Sequence, residues 1–158
     1  MLIEMKVDSL TVDPFTNMPI LILLGPEGQK LPLWVGMQEA SAIAAQLESI
    51  PLDRPMTHDL MKTILGLCEI TVDHVEVHDF RGGTFFATLF LQKADGSRLA
   101  VDSRPSDAIS LALRTRAPIF VAKKVVDKAK RLDVPVAAID SKELLAGLSE
   151  TAFGKWKM

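Results

Sequence analysis

The sequence predicts one α+β domain in which helices pack against a mostly antiparallel or mixed sheet. Short apolar stretches of strand length follow one another and are separated by turn pairs such as Asp95-Gly96. Amphipathic stretches with apolar residues at the helical period lie between them. The chain has 158 residues, of which 48% are hydrophobic, so it can bury the core of a single domain.

The first half of the chain predicts a three-stranded meander followed by two helices. Asp13-Pro14 and the Gly-Pro-Glu-Gly segment 25–28 are turn formers that separate the apolar stretches. Thr57 precedes an amphipathic stretch and can cap it, because its hydroxyl can accept a free backbone N–H. The predicted elements are strands at about 2–12, 20–24 and 31–35 and helices at about 37–48 and 58–67.

The second half predicts another meander that runs into a helix. Pro105 suits the first turn of that helix, since its ring fixes φ and its missing N–H would have had no partner there. The predicted elements are strands at about 71–80, 84–92, 98–102 and 118–121 and helices at about 105–115, 123–130 and 141–148. We expect the core to include Leu99, Val101, Ile109, Ala112 and Leu113.

The two halves echo each other. When the first half is moved forward so that Gly28 falls on Gly96, Glu39 falls on Asp107 and Ala40 on Ala108. An internal strand-strand-strand-helix duplication explains this match, and so does the general similarity of any two such units. If the duplication is real, two acidic helix starts occupy corresponding places and could meet at one cleft.

Composition bounds the class of protein. We predict a domain over residues 1–131, followed by a C-terminal appendage of strand and helix with a tail over residues 132–158. The apolar runs are too short to cross a bilayer and the N-terminal residues do not resemble a signal peptide, so we expect a cytoplasmic protein without membrane contact. The single cysteine, Cys68, excludes an internal disulfide and a multi-cysteine zinc site, and its apolar neighbours favour burial.

Charged side chains gather where the strand at 98–102 meets the helix at Pro105. Asp102, Arg104 and Asp107 lie within a few residues of this junction. A carboxylate in the first turn of a helix is favoured by the helix dipole, so Asp107 could be a structural residue with Arg104 as its partner. The same gathering of charge is also typical of a functional site.

Three segments carry a resemblance to a known family: LPLWVGMQEASAIAAQL at 31–47, RPMTHDLMKTIL at 54–65 and the stretch 84–114. Together they resemble the bifunctional nuclease domain family, over about residues 7–129. The resemblance implies a nuclease that acts on DNA or RNA. The family tends to place a glycine shortly after the helix that follows Thr57, whereas this chain has Glu69 there.

The residue types near these segments could supply metal-assisted phosphodiester hydrolysis. Carboxylates can hold Mg²⁺ or Mn²⁺, and an arginine or histidine can bind the phosphate or move a proton. The candidate metal ligands are Glu39, Asp102 and Asp107, with Arg104 as the phosphate clamp. His58 is the candidate general base or acid, although helix capping with Asp59 in the first turn is the favoured explanation of its position.

Partners are predicted from charge and from methionines. The net charge of −2 argues against a general nucleic-acid coat protein. A local basic run could still bind DNA or RNA through Arg114, Arg116, Lys123, Lys124 and Lys128, or it could be a solvated face. The flexible apolar residues Met18, Met37, Met56 and Met61 near turns and helix starts predict a homo-oligomer, with a dimer favoured.

Two alternatives to a nuclease come from other classes. The first is a non-catalytic oligomeric or regulatory module in which the acidic and basic residues form structural ion pairs. The second is a small-anion-binding domain that uses the helix start at Pro105. Structural ion pairs should be buried, whereas a hydrolase must expose at least two acids to one cleft.

Overall fold

The structure is a computed structural model that describes residues 1–132 and the backbone of residues 138–139. It contains four helices and a mixed seven-stranded sheet, to which one short strand adds. The strands are β1 (Leu2–Val12), β2 (Pro19–Leu24), β3 (Lys30–Trp34), β4 (Thr71–Arg81), β5 (Thr84–Gln92), β6 (Arg98–Ser103), β7 (Ile119–Ala122) and β8 (Ala138–Ile139). The helices are α1 (Met37–Leu47), α2 (Thr57–Leu67), α3 (Pro105–Thr115) and α4 (Lys123–Ala129).

The sheet is built from two antiparallel meanders on either side of β7. Its order is β3-β2-β1-β7-β4-β5-β6, with β8 paired to β1. Strand β7 is antiparallel to β1 and parallel to β4. The predicted α+β class with a mixed, mostly antiparallel sheet is therefore confirmed.

The topology places the two predicted repeat units symmetrically. The units β1-β2-β3-α1 and β4-β5-β6-α3 occur in reverse order on the two sides of β7. Because β1 and β4 run in opposite directions beside β7, the arrangement is that of two units related by a two-fold rotation. Helices α1 and α3 contact each other, so the symmetry brings their first turns into one region.

The core lies between the helices and one face of the sheet. Ile43 of α1 and Ile109 of α3 are fully buried in one hydrophobic cluster with strand residues such as Val75 and Val77. Ala112 is buried as predicted, and Leu113 is half-buried at the margin of the core.

The predictions that Leu99 and Val101 lie in the core are wrong. Leu99 and Val101 of β6 are 40% and 42% exposed. Their register partners Leu91 and Leu89 are buried, so the alternation was read correctly. Strand β6 is an edge strand, however, and no neighbour covers its outer side within the described residues.

Helix α2 packs less deeply than its sequence suggests. Cys68, predicted to be buried, is exposed at its C-terminal end. Of the helix residues only His58 is buried. Thr57 is the first helical residue and does not cap the helix; instead Asp59 Oδ2 accepts a hydrogen bond from the backbone N–H of Met56 at 2.9 Å.

The C-terminal predictions are largely outside the described residues. The helix at 141–148 and the tail lie there, so the boundary between domain and appendage stays a prediction. Within residues 1–132, no helix is both long and apolar enough to cross a membrane.

Three of the described helices end in a left-handed residue that is not glycine. Ser49 after α1 has φ 50°, Glu69 after α2 has φ 56° and Arg116 after α3 has φ 59°. In each case the N–H of the next residue bonds back to the last helical turn. The left-handed φ of Glu69 gives a physical reason for the glycine expected at this point in the family.

Candidate functional site

The first turns of α1 and α3 converge on a single arginine. Glu39 is the third residue of α1 and Asp107 is the third residue of α3. Arg104 immediately precedes α3 and has extended backbone, which turns its side chain toward both carboxylates. The sequence therefore brings together two acids that are far apart in the chain, as the repeat pattern predicted.

The guanidinium of Arg104 is held by three hydrogen bonds. Its Nε donates to Asp107 Oδ2 at 2.8 Å and its Nη2 to Asp107 Oδ1 at 3.1 Å, which is a bidentate arrangement. Its Nη1 donates to Glu39 Oε1 at 3.0 Å. The side chain is nevertheless 64% exposed, so part of the guanidinium can meet a ligand.

His58 reaches the same cluster from α2. Its Nε2 lies 3.0 Å from Asp107 Oδ1, and its side chain is only 8% exposed. The other ring nitrogen, Nδ1, is buried and has no hydrogen-bond partner among the described residues. In this arrangement one ring nitrogen of His58 contacts Asp107 and the other is buried, so neither is presented to solvent.

The cluster opens into a cavity of about 390 Å³. The polar lining consists of Glu39, His58, Arg104 and Asp107 together with Gln38, Ser41 and Thr57. The carboxylates of Glu39 and Asp107 are 21% and 30% exposed. Two acids and an arginine are thus accessible in one cleft.

The electrostatics of the cluster favour its charged state. Burial opposes ionisation of Asp107, but hydrogen bonds from Arg104 and His58 outweigh it and hold the pKa of this carboxyl below its ordinary value. Hydrogen bonds to Asp107 and then Glu39 raise the pKa of the Arg104 guanidinium. Asp107 and Arg104 are therefore both ionised at neutral pH.

Asp102 does not join this cluster. It lies on β6 opposite Thr88 and is exposed, and it is not among the residues that line the cavity. Across residues 1–132, no three side chains of the His, Cys, Asp or Glu type are close enough to form a metal-binding group. The carboxylates available to a cation at this cavity are therefore those of Glu39 and Asp107.

Arg114, predicted to contact nucleic acid, is buried under the site. Its Nε donates to Asp59 Oδ1 at 2.7 Å, its Nη1 to Ser110, and its Nη2 to the carbonyl oxygen of Ala42 at 3.0 Å. The side chain is 3% exposed and cannot reach a phosphate. Sequence reasoning missed this role, although a basic residue four positions after Ser110 on an otherwise apolar helix face was a signal of it.

Asp79 is surrounded by three exposed basic residues, which we call the α4 basic surface: Arg81, Lys124 and Lys128. Lys124 and Lys128 of α4 approach Asp79 Oδ1 at 3.8 and 3.6 Å, and Arg81 approaches Asp79 Oδ2 at 3.7 Å. The Arg81 guanidinium also lies 4.3 Å above the ring of Phe86. Sequence reasoning missed Arg81, because it stands alone at the end of β4, before the turn at Gly82-Gly83.

A second cavity, of about 240 Å³, adjoins the site. It shares Arg104 with the first cavity and extends along Trp34 to Phe85. Phe85 stacks on Phe80 with ring centres 4.3 Å apart, and the carbonyl oxygen of Phe80 accepts a hydrogen bond from Lys128. The acidic cluster, two stacked aromatic rings and the α4 basic surface are therefore neighbours.

The fold and the site define a class: a small α+β domain with an acid-and-arginine cluster open to a cavity. The sequence model of the bifunctional nuclease domain matches residues 21–133, which is more than half of the chain. The chain belongs to the bifunctional nuclease domain family. The resemblance read from the sequence motifs is thereby confirmed.

Relatives of this chain include proteins with and without an assigned activity. An uncharacterised protein of Mycobacterium tuberculosis is 34% identical over 127 residues, which are 80% of this chain and 75% of that protein. Bifunctional nuclease 1 of Arabidopsis thaliana is 29% identical over 123 residues. Bifunctional nuclease 1 of Oryza sativa subsp. japonica is 26% identical over 109 residues.

The plant relatives are longer proteins. The match covers 72% of this chain but 38% of the Arabidopsis protein, and 66% of this chain but 33% of the rice protein. The activity of the whole plant proteins can therefore only be proposed for this chain.

Proposed function

We propose that this protein is a nuclease that hydrolyses phosphodiester bonds of DNA or RNA with the help of a divalent metal ion. The observation that carries the proposal is the convergence of Glu39, Arg104 and Asp107 on one open cavity. The relationship to plant proteins named bifunctional nucleases supports the same chemistry.

The exposure of Arg104 argues for a ligand. An ion pair whose arginine is 64% exposed contributes little to stability, because water screens the charges. Yet this guanidinium is fixed by the three hydrogen bonds that it donates to carboxylates of two helices. A pre-positioned, partly exposed guanidinium suits a phosphodiester, whose oxygens can accept its remaining N–H donors.

The charge balance of the cluster argues for a cation. Two carboxylates against one guanidinium leave a net negative charge, which would repel a phosphodiester. Mg²⁺ is commonly held by one or two carboxylates together with water and substrate phosphates, so Glu39 and Asp107 fit this kind of site. When bound, the ion would supply an activated water and neutralise charge on the phosphoryl oxygens.

His58 has a different role in this proposal from that of a general base. Its free nitrogen is buried, whereas its Nε2 contacts Asp107. It therefore positions the Asp107 carboxylate and helps keep it ionised. Proton transfer then falls to water and to the accessible carboxylates, of which Glu39 has its Oε2 free of the contact to Arg104.

The surroundings of the cavity support a nucleic acid as the substrate. The α4 basic surface offers cations to a phosphate backbone. Phe85 lines the second cavity and stacks on Phe80, whose carbonyl oxygen accepts a hydrogen bond from Lys128 of that surface. Arg116, Lys123, Lys124 and Lys128 remain candidates for phosphate contacts, whereas Arg114 does not.

The experiment is a nuclease assay on single-stranded DNA and RNA with Mg²⁺ or Mn²⁺, using rigorously purified wild type beside Asp107→Asn, Glu39→Gln and Arg104→Gln. We expect each variant to lose about a hundredfold or more in cleavage rate, the size of effect seen when one transition-state contact is removed. Asp8→Asn is the matched control, since Asp8 is exposed on β1 and accepts a hydrogen bond from Ser9 outside the cavity.

The two rival classes give different results in the same assay. Equal cleavage by all preparations indicates a contaminating nuclease and removes the proposal. A structural module would lose thermal stability in Asp107→Asn without any metal-dependent activity to lose. A small-anion binder would bind inorganic phosphate without metal and would cut neither substrate.

A further inference from the structure

In the described residues the strand path of the sheet ends at β3 and at β6, and only the β3 edge is protected. The β3 edge contains Pro32, which lacks an N–H and blocks strand addition, and its central residues are buried. The β6 edge has no proline, and Arg98 to Asp102 are all exposed. Within the described residues β6 pairs with β5 alone. An open edge of this kind is a template for another strand.

The register of the β5–β6 hairpin shows which backbone groups point outward. The N–H of Lys93 donates to the carbonyl oxygen of Ser97 at 2.8 Å, and bonded positions alternate along an antiparallel pair. Leu99 and Val101 therefore bond to β5. The N–H and C=O groups of Arg98, Ala100 and Asp102 point away from β5, and no other described strand pairs with them.

The edge is complementary to itself. If a second copy of β6 pairs antiparallel about a two-fold axis at Ala100, Ala100 faces Ala100, and Arg98 faces Asp102 in both directions. Leu99 then faces Val101 at the closely spaced positions, where cross-strand side chains interact most strongly. Neither Arg98 nor Asp102 forms an ion pair with any described residue, so both charges are available.

We propose that two copies of this chain form a dimer by pairing their β6 edges in this register. The pairing joins the two sheets into one and satisfies the free backbone groups of Arg98, Ala100 and Asp102. It also explains the exposed Leu99 and Val101, which share the sheet face of the buried Leu89 and Leu91. In the dimer they continue that apolar face from one copy to the next.

A charge swap tests the register. Sedimentation equilibrium is expected to give wild type a mass of twice 17.3 kDa. Arg98→Asp and Asp102→Arg each place like charges opposite one another twice per dimer, so each should raise the dimer dissociation constant at least about tenfold. The double variant restores opposite charges and should return the constant to within about threefold of wild type. Lys93→Asp, in the turn before β6, is the control and should change nothing.

A cross-link gives a second readout that does not depend on charge. Ala100→Cys in a Cys68→Ser background should form an intermolecular disulfide under mild oxidation, because the paired Cα atoms would be about 5.5 Å apart. Lys93→Cys in the same background should not. A monomeric wild type at about 100 μM overturns the proposal. So does a dimer that survives every β6 variant, for example one broken instead by Ile64→Asp on the exposed face of α2.

Discussion

Arg114 and Asp59 form the ion pair that holds the three helices of the site together. Arg114 of α3 donates to Asp59 of α2 at 2.7 Å, and its Nη2 donates to the carbonyl oxygen of Ala42 in α1. Burial opposes ionisation of Asp59, but hydrogen bonds from Met56 and Arg114 hold the pKa of its carboxyl below its ordinary value. Asp59 is the neighbour of His58, so the pair fixes the turn from which His58 reaches Asp107.

Replacing Arg114 should destabilise the protein. Arg114→Met leaves Asp59 without its cation and the Ala42 carbonyl without its donor, so we expect a loss of about 3 kcal/mol in the free energy of unfolding. Arg116→Met is the control, because Arg116 is exposed, and its effect should stay within about 0.5 kcal/mol. Urea denaturation of both variants measures the difference. Equal midpoints would show that the buried pair is dispensable.

The substitution Gly36→Ala tests the position of Glu39 without removing a charged side chain. A Cβ at Gly36 would collide with Oε2 of Glu39, the end of a flexible side chain that can move away. Gly36→Ala should therefore push Glu39 off Arg104 with little loss of stability, since the backbone of Gly36 is extended and accepts any residue. We expect slower metal-dependent cleavage at a nearly unchanged melting temperature. Gly66→Ala, where a Cβ meets open space, should leave cleavage unchanged.

The sequence predicted the fold class and the proximity of Glu39 and Asp107 better than it predicted the burial of single residues. Turn pairs, apolar period and the acidic helix starts were enough for the fold class and for the meeting of Glu39 with Asp107, because these depend on local patterns. The burial of Arg114 and the exposure of Cys68 depend on which helix face meets a neighbour. The amphipathic period of a helix does not fix that face to within one residue. The predictions that Arg114 is exposed and that Cys68 is buried were therefore wrong.

Glu69 should be a point where stability can be gained. A left-handed φ of 56° costs a residue with a Cβ about 1 kcal/mol, whereas glycine adopts it freely. Glu69→Gly should raise the free energy of unfolding by up to about 1 kcal/mol, since the larger backbone entropy of glycine in the unfolded chain offsets part of the gain. Gly66→Ala at the end of α2 tests the same region with ordinary helix geometry. A destabilised Glu69→Gly would mean that the side chain makes a contact worth more than the strain.

The pH dependence of stability should report Asp107. Because its pKa is lower in the folded protein than the ordinary 3.8, folding favours the ionised form. The stability that Asp107 contributes is present in full above pH 3.8 and is lost as the pH falls through its folded pKa. The difference in unfolding free energy between wild type and Asp107→Asn should therefore shrink below about pH 4. In an Arg104→Gln background, Asp107→Asn should change the unfolding free energy less, since Arg104 is one cause of the lowered pKa of Asp107. A difference between wild type and Asp107→Asn that is constant with pH would contradict the lowered pKa of Asp107.

Metal binding provides the final distinction between a nuclease and a structural cluster. If Glu39 and Asp107 hold the cation, calorimetry with Mg²⁺ or Mn²⁺ should show binding by wild type that Asp107→Asn loses, because the ion loses a charged oxygen ligand. The same variant should lose less than about 1 kcal/mol of stability, since Arg104 is mostly exposed. Asp102→Asn should keep metal binding, because Asp102 lies on β6 outside the cavity.

A wild type that binds neither ion, together with an Asp107→Asn variant destabilised by about 3 to 5 kcal/mol, would make the cluster structural. Membership of the family would stand after that result, and the nuclease function proposed for this chain would not.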